Sequence, residues 1–564
     1  MKRSRYFRKT PLAYGVAAMF AFGLVIAAGD VRAQDGDLED GIANKRLGGI
    51  LDLGRPHYSP VRTPAHQDIG PKGVGYNFRL VDHNPLIQTG GTLPRGGGGN
   101  DVNIIRNCAY AATKDNNQGL MILDISDPRN IEVVREMPPI NPGADVTTDH
   151  IPTIESENLF LQTSEQSDPP WDQNFVELWD TSGDCFNPVK ASTITLPDTP
   201  HDLKSIWQGG NPHKVLLIES FNHRRGEAFP PPPADVDLRI YDITDKYNPV
   251  GPIAEYSLQQ VYGIPVREEP DLLTNGGFAQ TNAFHDVNAS NDYLSEEGFP
   301  TRLLVAALSY GWFLLDTTPL AEMLAGGATC DVEATGANPC VKKLHPDPEV
   351  RLEHDPPFSH SNAHTFQKLP GRPYALASDE PGPCPWGWLR FVYVGDEENG
   401  VEVENEDAHG NPIAGFLRGD LYPSIAGTFR LPENRVEDCE ANMEKFAQDN
   451  SGDESFNPHL HLIFKNIMFT SWNNGGLRAI DISDPGMPFE LGAYFPPPVG
   501  ATAAGDIVPD LSLNNPPTLK DGLLYIMDRV NGVYVFEYTG PRRDEIPTSG
   551  LYTGEQNQRP FREP

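Results

Sequence analysis

Residues 475–497 read "GGLRAIDISDPGMPFELGAYFPP". A short strand of alternating residues enters, an Asp-x-Ser-Asp-Pro turn reverses the chain, and a second strand leaves. Residues 119–139, "GLMILDISDPRNIEVVREMPP", repeat the device almost intact. Degenerate copies begin at Phe175 ("FVELWDTSGDCFNPVKASTITLP"), Asp237 ("DLRIYDITDKYNPVGPIAEYSL") and Gly311 ("GWFLLDTTPL"). "LRFVYVGDEENG" from Leu389 and "GVYVFEYTG" from Gly532 keep the strand and lose the turn. That makes seven copies at uneven spacing, so insertions are expected in the loops.

Each copy follows another pair of candidate strands. In "HLIFKNIMFTSWNNGGLRAIDIS", from His461, one run turns at Lys465-Asn466, "IMFTSW" follows, and Asn473-Asn474-Gly475 turns into the repeat. With the outgoing "FELGAYF" this gives four strands in about 35 residues, the content of one propeller blade. A twisted four-stranded sheet cannot bury both faces alone, whereas seven stacked radially cover one another. The expected fold is therefore all-β, a seven-bladed β-propeller of four-stranded blades over residues 74–540. "VGYNFRLVDHNPL", from Val74, alternates like a strand and is expected to complete the last blade. Residues 34–73 read as an N-terminal arm and 541–564 as a C-terminal tail, both rich in Pro, Gly and charge.

The pattern "GLxIxDISDP", found at 119–128, at 476–485 with Ala479 in place of its first Ile, and recognisable from Asp237, resembles the LVIVD repeat of bacterial exported proteins. The resemblance implies a β-propeller over roughly residues 100–540 and says almost nothing about activity. The fourth copy, with "DTTPL", and the fifth, without the turn, depart from it.

The N-terminus has the form of a secretory signal, residues 1–33. "MKRSRYFRK" is basic, residues 10–29 carry no charge, and Val31-Arg32-Ala33 fits a small-x-small cleavage site. Its removal would change the net charge from −34 to −39, since six basic residues and Asp30 leave with it. Such an acidic chain repels phosphate backbones and argues against a nucleic-acid partner. No other stretch is apolar enough to span a bilayer, so no membrane span is expected after cleavage, and the protein is expected in the periplasm or secreted. Six cysteines in an exported chain suggest disulfides. Cys330 with Cys340, closing "CDVEATGANPC", is the first pairing, Cys384 with Cys439 the second, and Cys108 with Cys185 remains.

The paired aspartates of the turns, Asp124 and Asp127, Asp242 and Asp245, Asp481 and Asp484, read as caps on the local backbone rather than calcium ligands. More informative is the start of the innermost strand of each blade. There stand "DHIPTIESENLFLQT" at Asp149, "HDLKSIWQGG" at His201, "HDVNASNDYL" at His285, "AHTFQKLPG" at Ala363 and "HLHLIFKN" at His459. Innermost strands run beside the central axis, so His150, His201, His285, His364, His459 and His461 are expected to converge at one mouth. Asp149, Asp202 and Asp286, one residue away along each strand, are expected on the opposite side, as orienting partners rather than ligands.

Converging imidazoles in a polar site suit a transition metal ion such as copper, iron or zinc. The architecture is similar to that of the selenium-binding/methanethiol-oxidase propellers and of the carotenoid-cleaving oxygenases, which implies metal held by histidines of inner strands. The function this suggests is a metal-dependent oxidoreductase acting on a small-molecule substrate. The alternative is a non-enzymatic envelope scaffold that binds protein or glycan through its insertions. Neither a Gly-x-Ser-x-Gly elbow, a Walker loop nor a His-Glu-x-x-His motif occurs.

Overall fold

In the computed structural model of this chain the described residues are 57–62, 64, 69, 72–86, 99–113, 120–138, 146–147, 151–166, 174–196, 200–221, 236–262, 284–307, 311–344, 363–379, 387–395, 405–406, 412–413, 424–435, 456–497, 516–528 and 532–553. Seven antiparallel sheets of four main strands form the blades. The first is Gly99–Ile105, Cys108–Thr113, Met121–Asp124 and Glu132–Glu136. The third is Pro200–Gly209, Lys214–Phe221, Leu238–Asp242 and Val250–Tyr256, and the fourth is Phe284–Ala289, Arg302–Ala307, Gly311–Asp316 and Lys342–Lys343. The fifth runs Ala363–Lys368, Tyr374–Asp379, Leu389–Tyr393 and Ser424–Arg430; the sixth runs Pro458–Phe464, Ile467–Trp472, Gly476–Asp481 and Phe489–Phe495. In the second blade Leu159–Gln166, Phe175–Asp180 and Val189–Thr195 are joined on the inner side by Val146–Thr147 and Thr153–Ile154.

Each repeat copy is the third strand of a blade; in the first, second, third and sixth blades its turn leads directly to the fourth, whereas the fourth strand of the seventh blade comes from the N-terminal side of the chain. The glycine opening the copy has a conformational reason. Gly476 and Gly532 have φ of 78° and 88°, and an added Cβ would meet the Tyr494 carbonyl oxygen at 2.3 Å or the Asn84 carbonyl oxygen at 2.3 Å. Only glycine takes this left-handed start beside a neighbouring strand without strain. The turn aspartates cap their own backbone, as the sequence suggests. Asp124 accepts the Ser126 N–H at 2.9 Å, Asp242 the Thr244 N–H at 3.0 Å and Asp481 the Ser483 N–H at 2.8 Å.

The ring closes with both ends of the chain in one sheet. Phe78–Asn84 is the outer strand of the seventh blade, paired to Gly532–Tyr538, which in turn pairs to Leu523–Asp528 and through it to Thr518–Lys520. The ring centroids of Phe469, Phe536 and Tyr538 lie 6.0, 6.3 and 5.2 Å from that of Phe78 in edge-to-face contacts, pinning the closing strand to the sixth and seventh blades. Farther upstream, Val74–Tyr76 adds to the outer edge of the sixth blade and His57–Tyr58 to that of the fifth. This rim segment helps cover a buried ion pair, in which Arg478 donates to Glu490 at 2.8 Å with both side chains at 0% exposure. Edge strands that would otherwise present unpaired N–H and C=O groups are covered in this way.

Between blades the core is a series of apolar layers. Leu216, Ile218 and Ile240 of the third blade face Leu303, Val305 and Phe313 of the fourth, and Leu462, Phe469 and Leu477 of the sixth face Leu524, Ile526 and Phe536 of the seventh. Two disulfides are present among the described residues, Cys108–Cys185 and Cys330–Cys340. The first ties the second strand of the first blade to the turn of the second. Cys384 and Cys439, the other expected pair, lie outside the described residues. Among the described residues no helix is long and apolar enough to cross a membrane.

Candidate metal centre

The candidate site is built from an irregularity that recurs at one end of the innermost strands. In the fourth blade the ladder pairs Phe284 with Ala307 and then Asp286 with Ala306, so His285 is the extra residue of a β-bulge. The fifth blade repeats this, pairing Ala363 with Asp379 and Thr365 with Ser378 and leaving His364 as the extra residue. In the third blade Pro200 pairs with Phe221 and Asp202 with Ser220, with His201 between them. The sixth blade shifts register between Pro458 and His461, a segment that includes His459. A bulge interrupts the ladder and re-aims the side chain it carries.

Three blades bring their rings together. The His285 and His364 centroids are 4.1 Å apart and tilted by 43°, and those of His364 and His459 are 4.3 Å apart and tilted by 50°. All are deeply buried: His285 is 5% exposed, His364 1%, His459 7% and His461 1%. Nitrogens of His285 and His364 and a carboxylate oxygen of Asp286 lie within 4.8 Å of one another, a spacing at which three side chains could hold one ion.

Strict alternation placed Asp286 away from His285, and the structure corrects this. With the bulge at His285, Asp286 Oδ1 lies 3.1 Å from His285 Nδ1, on the same side as the ring. Its other oxygen accepts the Thr365 hydroxyl of the next blade at 2.6 Å. Because that hydroxyl spends its proton on the carboxylate, it accepts from His364 Nδ1 at 2.9 Å. A carboxylate likewise only accepts, so His285 Nδ1 carries the proton shared with Asp286. His461 Nδ1 is 2.8 Å from Thr470 Oγ1, whose proton goes to the Ser471 carbonyl at 3.2 Å. In all three rings Nδ1 is the donor, and in the neutral ring Nε2 holds the lone pair a metal would use.

The backbone beneath these rings is fastened across blades. Ser220 donates its hydroxyl to the His285 carbonyl at 2.8 Å, and the Trp312 indole donates to the Thr365 carbonyl at 3.1 Å. Asp101, fully buried in the first blade, accepts the Ile151 N–H at 2.8 Å, which anchors the chain directly after His150. Beside Ser220 stands Glu219, also fully buried, with neither carboxylate oxygen hydrogen-bonded. Burial pushes its carboxyl well above the usual range.

Of the residues expected at the mouth, His285, His364, His459 and His461 are described in full. His201 and Asp202 are placed by their backbone on Pro200–Gly209, while Asp149 and His150 lie outside the described residues. Thr365, Thr470 and Ser220 were not singled out from the sequence. The hydroxyl residue directly after His364 in "AHTFQK" is the signal that could have marked the first of them.

The LVIVD repeat family matches residues 96–135 and 469–495, which cover the first blade and much of the sixth. The chain carries LVIVD repeats on a seven-bladed β-propeller. No curated protein matches it. Among solved structures, the computationally designed Ika8 protein is 8% identical, with 78% of this chain and 97% of that one covered and a TM-score of 0.33. Sqt1 of Saccharomyces cerevisiae is 8% identical, with 85% of this chain and all of that one covered and a TM-score of 0.37. At those values the likeness carries no functional argument.

Proposed function

We propose that this LVIVD-repeat propeller is an exported metalloprotein whose channel mouth holds one transition-metal ion and uses it in oxidation or reduction of a small molecule. The observation that carries this reading is the buried His285–Asp286–His364 group, with its donor atoms within 4.8 Å and each imidazole hydrogen-bonded through Nδ1. Two imidazoles and one carboxylate favour iron, zinc or copper over calcium or magnesium. His459, its ring centroid 4.3 Å from that of His364, offers a fourth donor. A copper or iron ion there would supply one-electron chemistry, and a zinc ion Lewis acidity. The chain's own residues would fix the ligand rings and exclude water. Two disulfides support the oxidising compartment that the N-terminal signal suggests.

Metal analysis of protein exported with its leader and purified without a histidine tag tests the proposal. About one equivalent of a single transition metal is expected, falling below about a tenth when His285 and His364 are both replaced by alanine. Less than about a tenth in the parent protein, even after reconstitution with Cu(II), Fe(II) and Zn(II) in turn, would reject it.

A further inference from the structure

One position on the strand next to the innermost one recurs from blade to blade. In the third, fourth and fifth blades the rung that follows the histidine bulge pairs Asp202 with Ser220, Asp286 with Ala306 and Thr365 with Ser378. Ser220, Ala306 and Ser378 are therefore equivalent. Their side chains face the following blade, since residues two apart on a strand share a face. Ile218, two before Ser220, lies in the apolar layer shared with Leu303 and Val305 of the fourth blade, and Leu376, two before Ser378, in the layer shared with Ile463 and Met468 of the sixth. The third blade shows what the position can do. Ser220 donates to the His285 carbonyl at 2.8 Å and so grips the bulge of the next blade. Ala306 has no hydroxyl, and there the grip comes from Trp312, whose indole donates to the Thr365 carbonyl at 3.1 Å.

Ser378 differs from both. The same relation directs it at the His459 carbonyl, because His459 follows Pro458, in the rung Pro458–Trp472, as His285 follows Phe284 in the rung Phe284–Ala307. Ser378 is 0% exposed, and its hydroxyl has no hydrogen-bond partner among the described residues. A hydroxyl that leaves water and gains no acceptor is destabilising, which singles out this one. The acceptor side is also set apart. Thr365 Oγ1 stands 3.5 Å from the His459 carbonyl, at the limit of a hydrogen bond, and its proton goes to Asp286. The sixth blade, moreover, omits the rung that follows the bulge in the other three. Its ladder passes from Pro458–Trp472 to His461–Thr470 without a Leu460–Ser471 pair. His459 thus sits on a segment that its own sheet does not fasten at that level, with its ring centroid 4.3 Å from that of His364.

We propose that Ser378 is a positioning residue of the metal centre: its hydroxyl takes the His459 carbonyl when the ion binds, and this brings the His459 imidazole in as a third nitrogen ligand beside His285 and His364. The third and fifth blades then act alike, each gripping with a serine the bulge carbonyl of the blade that follows. The inference rests on the metal-binding reading of this site and specifies its ligand set.

X-ray absorption at the edge of the metal that the full-length protein takes up counts the imidazoles around it. Three are expected in the parent, two in Ser378→Ala and three again in Ser378→Thr, which keeps the hydroxyl. Metal affinity, read by chelator competition, is expected to fall about tenfold in Ser378→Ala and to recover in Ser378→Thr. In a His459→Ala background, Ser378→Ala should have no further effect, because the two residues act as one unit. Amide hydrogen exchange over residues 456–464 reads the latch itself: it should slow on metal loading in the parent and not in Ser378→Ala. Two imidazoles in the loaded parent, or three that persist in Ser378→Ala with affinity unchanged, would overturn the latch and leave the metal-binding reading intact. An affinity loss of the same size in the His459→Ala background would overturn it too, since packing rather than the grip on His459 would then be responsible. A parent that takes up no metal overturns both.

Discussion

Asp242 and Asp286 stand at opposite ends of neighbouring blades, and they show how one residue type serves two purposes on this fold. Asp242 ends a third strand; it accepts the Thr244 N–H at 3.0 Å and the Lys214 ammonium at 2.6 Å, within its own blade and turn. Asp286 sits at the bulge of an innermost strand, 1% exposed, and bonds His285 beside it and Thr365 of the next blade. The turn acid serves the repeat and recurs with it. The bulge acid joins two blades near the axis through an imidazole on one side and a hydroxyl of the next blade on the other. Position within the blade, not residue identity, separates structure from chemistry.

The sharpest way to break this contrast is to remove each acid in turn. Asp286→Ala deletes one donor and the anchor of two others, so metal affinity is expected to fall by about 100-fold or more, read by competition with a chromogenic chelator. A variant that binds as well as the parent would make Asp286 as local as Asp242. Glu219 extends the comparison to an acid whose carboxylate oxygens make no hydrogen bond. Glu219→Leu is expected to raise stability near pH 7 by on the order of 2 kcal/mol, because an unbonded buried carboxyl is replaced by packing.

The sign of the pH dependence then distinguishes the acids. A carboxyl raised by folding favours the native state only where the unfolded chain is also protonated, so its cost appears as pH rises above ~4.3. The advantage of Glu219→Leu should therefore shrink as pH is lowered toward 4. Asp242 behaves in the opposite sense. Burial alone would raise its carboxyl, but the hydrogen bonds from Lys214 and Thr244 outweigh it and hold it below the usual range. Its contribution is present above ~3.9 and is lost as pH falls through its lowered value. Denaturant melts between pH 3 and 8 check both trends.

Smaller effects refine the picture. Thr365→Val removes the hydroxyl between Asp286 and His364 and should weaken metal binding about tenfold, while Thr365→Ser restores it. Loss of rescue by serine would mean that packing, rather than the hydrogen bond, matters there. Asp242→Asn should cost about 1 kcal/mol of folding stability in urea and leave metal affinity unchanged.

Much of the architecture is legible in the sequence because it is written seven times. The repeat copies, intact or degenerate, mark the third strands, and Phe78–Asn84 closes the ring in the blade where its alternation suggested. The convergence of His285, His364 and His459 follows from radial geometry alone. The bulges do not show in period-two reading, since one extra residue shifts which neighbours share a face, and that is why Asp286 was expected on the wrong side. Contacts between blades, such as Thr365 to Asp286 across 79 positions of sequence, depend on closure and cannot be read from either strand. The strand Leu551–Thr553, inside a segment read as a tail, is too short to carry a pattern.

Anomalous diffraction from crystals of the reconstituted protein, recorded on both sides of the metal's absorption edge, tests the central claim most directly. One peak is expected within about 2.0–2.3 Å of Nε2 of both His285 and His364, with an Asp286 oxygen or a third imidazole in reach. A full-occupancy peak elsewhere, or none at this mouth in crystals that contain the metal, would contradict it.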